Sequence, residues 1–458
     1  MDNKSLSKGM WAILSANLVN LVFNLFINFA QPKFLSISAY AAIKTFQLYG
    51  TYAGILHLGF VDGVYLEFGG KRLNDLSADK ISKNVSTLRI FQAGLSLIAL
   101  LIGICIHDIV LIVFAISIVP LNLTAYYRSL YQATGEFKKY GRSMNATTIS
   151  AFLLNLVLIV FFKAHNYLWF LLLYFVSYVW VYILLERQVK KSFPALKQTR
   201  FNKQEFVVSV REGFFLMLGN FSQSILTSFD LWFVKILLNV SSFAYFSFAV
   251  SMENFLNVAI TPITVTLYNF FCTRTDPEDY NRAKRYVIMF SVILPAAAFP
   301  AKFILERFLS SYVPSISVMF LLFSAQTFYV IVKGVYVNLY KAKGMQRTYF
   351  LKLVFSILAS LAVNLVGYLI LRNMEAFAIG TLLISAVWLF ISAQDFPNTK
   401  ITIVEWAYIF VCVIALNVFG VLLNVYIGFV LYLAVIVFMT FLVFNKDIKK
   451  VILDLIQK

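Results

Sequence analysis

Lys44, Asp230, Glu253 and Lys333 fall inside long apolar stretches of this chain, and the carboxylates Asp62 and Glu67 lie toward the end of another. A charge in hydrocarbon is costly enough to need an aqueous path or a partner. Glu253 lies about twelve residues into its stretch, roughly 18 Å at a helical rise of 1.5 Å per residue and so near a bilayer midplane. Lys333 lies about seven residues from the inner end of its stretch, and Lys44 about four from the outer end of its own. Lys44, Lys235 and Asp230 are shallow enough that snorkelling to an interface competes with a role in a path. Glu253 and Lys333 are deeper, and either line water or pair with each other. The chemistry on offer is recognition of a charged group together with proton or sodium binding, for which Glu253 and Asp230 are the ion-coupling candidates.

Amides accompany the charges. Asn17, Asn20, Asn24 and Asn28 recur at i, i+3, i+7 and i+11, which stacks them on one helical face. Asn220, Gln223, Ser224, Thr227 and Asp230 repeat such a stripe, and Ser247, Ser251, Asn254, Asn257 and Thr261 add another on the following stretch. Interhelical hydrogen bonds worth under about 2 kcal/mol each are one reading of these faces. Two helices striped alike fit a shared hydrated cavity better. Asp62 and Glu67, within Gly59–Lys71, form an inner gate with Arg128 or Lys71 or else simply face water; the flanking glycines, which allow close helix approach, favour the gate. His57, His107 and His165 are isolated, and Cys105, Cys272 and Cys412 are far apart, read as small core residues without a disulfide. Neither a metal set nor a catalytic constellation emerges, so the expectation is that the chain is not an enzyme.

The elements that must position these groups are helices in a bilayer. Hydrophobic residues make up 60% of the chain and charged residues 13%, about half the charged share of a soluble domain. The apolar runs are each about 17 to 25 residues long, the length of a spanning helix, and no short alternating segments of barrel type occur. The reading is an all-α polytopic membrane protein of about fourteen transmembrane helices. The first runs over Met10–Ala30, the second over Tyr40–Phe68, the eighth over Ser241–Phe271, and the last two over Ile403–Leu423 and Tyr426–Phe444. Lys4 and Lys8 precede an apolar run without a small-residue cleavage site, which marks an uncleaved first span. Pro120, Pro262, Pro295 and Pro300 interrupt helices, as static kinks or as bends in a moving element.

The chain is also duplicated. Leu130-Tyr131-Gln132-Ala133-Thr134-Gly135 recurs 209 positions later as Leu339-Tyr340-Lys341-Ala342-Lys343-Gly344; at that offset Tyr140 matches Tyr349 and Asn155-Leu156-Val157 matches Asn364-Leu365-Val366. The polar segment Glu186–Glu212 divides the halves, giving an amino-terminal six-helix lobe over 1–205, a second over 206–398, and two further helices with a tail over 399–458. Even helix numbers give both halves the same topology, as in transporters built from parallel repeats. With both termini in the cytoplasm, all basic residues except Lys33, Lys44, Lys163, Lys235, Lys302, Arg307, Lys333 and Arg372 fall on the inner side. The net charge of +18 is thereby spread over turns facing an anionic leaflet, a membrane-lipid partner that makes a nucleic-acid one unnecessary.

The Gly59–Lys71 segment, the repeated Leu-Tyr-x-Ala-x-Gly turn, the polar first and seventh spans and the six-plus-six-plus-two topology resemble the polysaccharide-transporter branch of the multidrug/oligosaccharidyl-lipid/polysaccharide (MOP) exporter superfamily, the Wzx-type flippases with a MATE-like fold. The resemblance implies two lobes related by a pseudo-twofold repeat, in the bacterial cytoplasmic (inner) membrane. It implies a flippase that carries an undecaprenyl-pyrophosphate-linked oligosaccharide from the cytoplasmic to the outer leaflet, by alternating access, for O-antigen, capsule or exopolysaccharide synthesis. Glycosyltransferases and the polymerase of that pathway are then candidate partners, and no cofactor is expected. On this reading Lys44 and Lys333 meet the pyrophosphate, and Asn17, Asn24, Asn220 and Asn254 line the glycan path with Asn20, Asn28 and Gln223 on the same faces. A drug/cation antiporter of the same superfamily, a lipid II or teichoic-precursor flippase, and an integral-membrane polymerase are the alternatives.

Overall fold

In the computed structural model the described residues are 22–456 apart from 70, 258, 261–263, 265–266, 268–269 and 272–275, with backbone alone at 220, 223–227, 346 and 446–456. Regular structure among them is helical throughout. Among the described residues ten helices are long and apolar enough to cross a membrane. The four remaining expected spans are the first, second, seventh and eighth, the pair that opens each half. The chain separates into two compact units, Met1–Thr227 and Ser228–Lys458.

The first unit holds α1 (22–34), α2 (Ile37–Thr51), α3 (Phe60–Phe68), α4 (Ala78–Cys105), α5 (Ile109–Ala133), α6 (Phe137–Phe161), α7 (Tyr167–Ser192) and the first part of α8 (Lys203–Leu237). Short polar side chains start several of them: Ser77 accepts from the Lys80 N–H at α4, and Asp108 from the Leu111 N–H at α5. Helix α5 packs against both α4 and α7 and carries the core. Pro120 is accommodated within it without a break. One apolar cluster gathers Phe60, Tyr126, Tyr127, Tyr131 and Leu185, and another Ile43, Phe46, Phe114 and Phe170. The outward faces of α4 and α7, with Leu97, Ile98, Leu101, Trp169 and Trp180 exposed, are the apolar surfaces a bilayer would cover. Cys105 is exposed, against the expectation of a core position, because it ends α4.

The second span is not the continuous helix expected over Tyr40–Phe68. It breaks after Thr51 into a 3₁₀ turn, Ala53–His57, and Leu58 and Gly59 take positive φ of 53° and 88° before α3 begins. Backbone groups freed by a break in hydrocarbon must find partners. Gln92 supplies one by donating to the Leu56 carbonyl at 3.0 Å, and it accepts from Asn122 at 2.9 Å. Beyond the break, α3 crosses α8 almost backbone to backbone. Gly59 and Gly63 on one side meet Ser209 and Gly213 on the other, two small-xxx-small spacings face to face. A Cβ on Gly63 would lie 1.9 Å from the Ser209 carbonyl oxygen, and one on Gly213 2.0 Å from that of Gly59.

The connection between α7 and α8 is strapped along α4. The backbone N–H groups of Lys197, Thr199 and Asn202 donate to the hydroxyls of Ser82, Ser86 and Thr87 at 3.1, 3.0 and 3.1 Å. Three hydroxyls spaced along α4 thus do for this irregular segment what a neighbouring strand would do elsewhere.

The second unit holds the rest of α8, α9 (Val240–Glu253), α10 (Pro277–Phe308), α11 (Ser310–Ala342), α12 (Arg347–Leu371), α13 (Met374–Gln394), α14 (Ile403–Leu422) and α15 (Val425–Ile456). Helix α11 is its axis and is buried along nearly its whole length. Pro295 lies in a 3₁₀ turn, Leu294–Ala297, that interrupts α10. The last two helices are joined to the unit by buried lysines. Lys284 is ion-paired with Glu405 at 2.9 Å, the two side chains 2% and 6% exposed, and Lys302 donates to the Gly420 and Leu423 carbonyls at the end of α14 at 2.8 and 2.7 Å. A cation on those orphan carbonyls is what the helix dipole favours.

The duplicated hexapeptide folds identically in both copies. Glu136 N–H donates to Tyr131 O and Met345 N–H to Tyr340 O, each at 2.8 Å, while Gly135 and Gly344 take φ of 73° and 69°. This is the six-to-one closure of a helix end on a left-handed glycine.

Candidate functional site

Each unit carries a buried polar node around the repeated asparagine, Asn155 in the first and Asn364 in the second. In the first unit Gln31 on α1 is fully buried and donates through Nε2 to Asn155 Oδ1 on α6 at 2.8 Å and to the Tyr174 hydroxyl on α7 at 3.1 Å. Gln47 donates to the same hydroxyl at 3.0 Å and accepts from Lys44 Nζ at 3.0 Å. Lys44 Nζ also donates to Asn28 Oδ1 at 2.9 Å and stands 5.3 Å from the centre of the Tyr40 ring. The ammonium is 8% exposed as a residue, and no carboxylate lies within ion-pair distance of it among the described residues. The nitrogen is held entirely by amide oxygens and a ring face.

In the second unit Asp230 on α8 accepts from Asn364 Nδ2 on α12 at 2.6 Å and from the Thr381 hydroxyl on α13. Asn364 is the residue that the 209-position repeat pairs with Asn155, so each half sets an asparagine from its fifth span between polar side chains of its first and sixth. The copies differ in the side chains around that asparagine: Gln31 and the Tyr174 phenol in the first half, Asp230 and the Thr381 hydroxyl in the second, with Lys44 and Gln47 joined to the first. Asn364 Oδ1 is buried without a donor among the described residues, as is Gln31 Oε1. Carboxylate, hydroxyl and amide oxygens together make a hard oxygen set suited to a proton or a small cation such as sodium. Among the described residues no cluster of three His, Cys, Asp or Glu exists for a transition metal.

Nearby, Glu253 at the end of α9 accepts from Gln326 Nε2 on α11, and it lies close enough to Lys333 for their charges to interact. Lys333 sits in a π-helical turn, Val332–Tyr336, with Nζ 5.6 Å from the centre of the Tyr329 ring. Such turns re-aim side chains and recur at functional positions.

The other sequence candidates are dispersed. Asn17 and Asn20 lie outside the described residues, and of Asn220 and Gln223 only the helical backbone is described. Asn24 and Asn254 are exposed, the latter accepting from Asn257 at 3.3 Å. Asp62 stands 3.8 Å from His57 Nδ1 in the broken second span. Glu67 is joined to Lys80 at 3.1 Å, and Lys80 in turn to Glu205 at 2.6 Å. Arg128 donates to the Ser143 hydroxyl and carbonyl at 3.2 and 2.8 Å and to Thr147 at 2.6 Å, which ties α5 to α6. Gln31, Gln47, Tyr174, Gln326 and Thr381 escaped the sequence reading. Lys44, Asn28 and Asp230 stood among the sequence candidates, and the 209-position repeat marked Asn155 and Asn364.

No protein-family model and no curated protein sequence matches this chain. Solved structures do. The chain is similar to a lipid II flippase, MurJ, in an inward closed conformation, with a TM-score of 0.66, 13% identity, and coverage of 94% of this chain and 98% of that one. It is similar to a multidrug resistance MATE family transporter of the MOP superfamily in an inward-facing conformation, with a TM-score of 0.55, 11% identity, and coverage of 83% and 94%. A eukaryotic MATE transporter, AtDTX14, gives a TM-score of 0.52 at 14% identity over 86% and 95%. The chain therefore has the MATE and MurJ type of fold. It is a multi-pass membrane protein of that architecture.

Proposed function

We propose that this chain is a flippase whose cargo is a polyprenyl-pyrophosphate-linked oligosaccharide, carried by alternating access from the cytoplasmic to the outer leaflet of a bacterial inner membrane. The observation that supports it most is the Lys44 cluster. A buried ammonium without a carboxylate attracts an anion, which a pyrophosphate supplies and a cationic drug does not. Saccharide hydroxyls leaving water need replacement hydrogen bonds, and the amides of Asn28, Gln31 and Gln47 beside the ammonium offer them. Asp230 and Glu253 supply the coupling carboxylates, taking a proton or sodium ion. Lipid II, for which the MurJ relative is named, has the same pyrophosphate chemistry and remains the second reading of the cargo.

The test is reconstitution in vesicles with a defined polyprenyl-pyrophosphate oligosaccharide, scored by its accessibility in each leaflet. Lys44→Ala and Lys333→Ala are expected to reduce flipping tenfold or more, roughly the loss of one charge-assisted contact. Undiminished flipping in both variants would remove the phosphate role. Separately, Asp230→Asn and Glu253→Gln are expected to abolish dependence on an imposed ion gradient. Full gradient dependence in both would exclude them as coupling groups.

A further inference from the structure

At one end of the first unit a cavity opens between α4, the last turns of α7 and the strap that follows it, lined by Ser86, Arg89, Tyr127, Glu186, Lys190 and Lys197 among others. Three cations there face one carboxylate. Arg89 Nη2 and Lys190 Nζ both contact the same oxygen, Glu186 Oε1, at 3.0 Å. Arg89 Nε is buried with no acceptor among the described residues, and no described carboxylate lies within ion-pair distance of Lys197. The strap is fixed by its bonds to Ser82 and Ser86, so Lys197 is held over the cavity by its own backbone N–H.

Depth along α4 says where this cavity meets the membrane. Arg89 is followed at once by the exposed Ile90 and then by the exposed Leu97, Ile98, Leu101 and Ile102, so the apolar surface of α4 begins one residue beyond it. From Arg89 to the end of α4 is about 24 Å at 1.5 Å per residue, most of a hydrocarbon core of roughly 30 Å. With the basic turns on the cytoplasmic side, the cavity is at the level of inner-leaflet headgroups.

We propose that this cavity binds a phosphate group, carried by an anionic lipid headgroup or free in the cytoplasm, with Arg89, Lys190 and Lys197 as its ligands. An excess of cations over carboxylates, with a guanidinium among them, matches a phosphate oxyanion. The site is separate from the cargo reading above and uses none of its residues.

The full chain, purified in detergent, is tested for retention of phosphatidylglycerol against phosphatidylcholine by native mass spectrometry, and for a shift of its thermal midpoint with inorganic phosphate. Selective retention of phosphatidylglycerol without a phosphate shift identifies a lipid headgroup; a phosphate shift without lipid selectivity identifies the free anion. Either response is expected to weaken about fivefold for each lysine removed in Lys190→Gln and Lys197→Gln, at about 1 kcal/mol per cation near an anionic surface. Lys191→Gln, next to the cavity but outside its lining, is expected to bind as the parent does. Absence of both responses, or an equal loss in Lys191→Gln, overturns the proposal. Lys197 is exposed, so its variant reads binding even if Lys190→Gln were to unsettle the Glu186 pair.

Discussion

At Gly380 there is no room for a methyl group. A Cβ there would fall 2.2 Å from Asn364 Oδ1, the amide that holds Asp230. Gly380→Ala is expected to push Asn364 off the carboxylate and to lower stability by about 1–3 kcal/mol, the usual cost of overpacking, read as a drop in thermal midpoint. A midpoint within a degree of the parent would show that Asn364 is not so confined. Asp230 itself was visible in the sequence, because a carboxylate in an apolar stretch needs a reason to be there. Asn364 and Thr381 were not visible as its partners, since they lie 134 and 151 positions away and neither residue type is unusual in a membrane helix. The same holds for Lys44: its depth was legible, while Gln47 and the Tyr174 hydroxyl, which connect it to Gln31, gave no sign.

Among the elements, the crossing of α3 and α8 is the most exacting contact in the first unit. Gly63→Val or Gly213→Val would force two backbones apart by more than the 1.9 to 2.0 Å contacts permit, and each is expected to leave the protein poorly folded or to lower its midpoint sharply. The check is monodispersity and thermal melting in detergent, with Gly94→Ala, where nothing lies within 4 Å, as the control. The glycines near Asp62 announced a close approach in the sequence, but not the helix they approach. That partner is 150 positions downstream of Gly63 at Gly213, and only the spacing of Ser209 and Gly213 hints at it. The break in the second span was concealed for a different reason. Most of its residues around the break are apolar, and hydropathy measures length in the bilayer without registering whether the backbone stays helical. The cost of that break is met by Gln92, on a helix that looked like an ordinary span.

For the molecule as a whole, duplication was the most legible property. It placed the turn at Gly135 and its copy at Gly344, and the two closures agree to within a few degrees of φ, 73° against 69°. Gly135→Ala and Gly344→Ala are therefore expected to cost the same, about 1 kcal/mol each for a left-handed non-glycine residue, in a paired melting experiment. The last two helices looked like an addendum to two six-helix repeats, yet the second unit is incomplete without them. Removing residues 399–458 would strip Lys284 of Glu405 and Lys302 of its carbonyls, and Glu405→Leu alone is expected to cost about 3–5 kcal/mol by leaving a buried ammonium unmatched. The double replacement Lys284→Met with Glu405→Leu should recover most of that loss. Lys284 also precedes Glu405 by 121 positions in the order of synthesis. At about 5–20 residues per second, a ribosome needs roughly six to twenty-four seconds to deliver the matching carboxylate. During that interval the nascent chain carries Lys284 on α10 without the carboxylate that matches it in the finished fold.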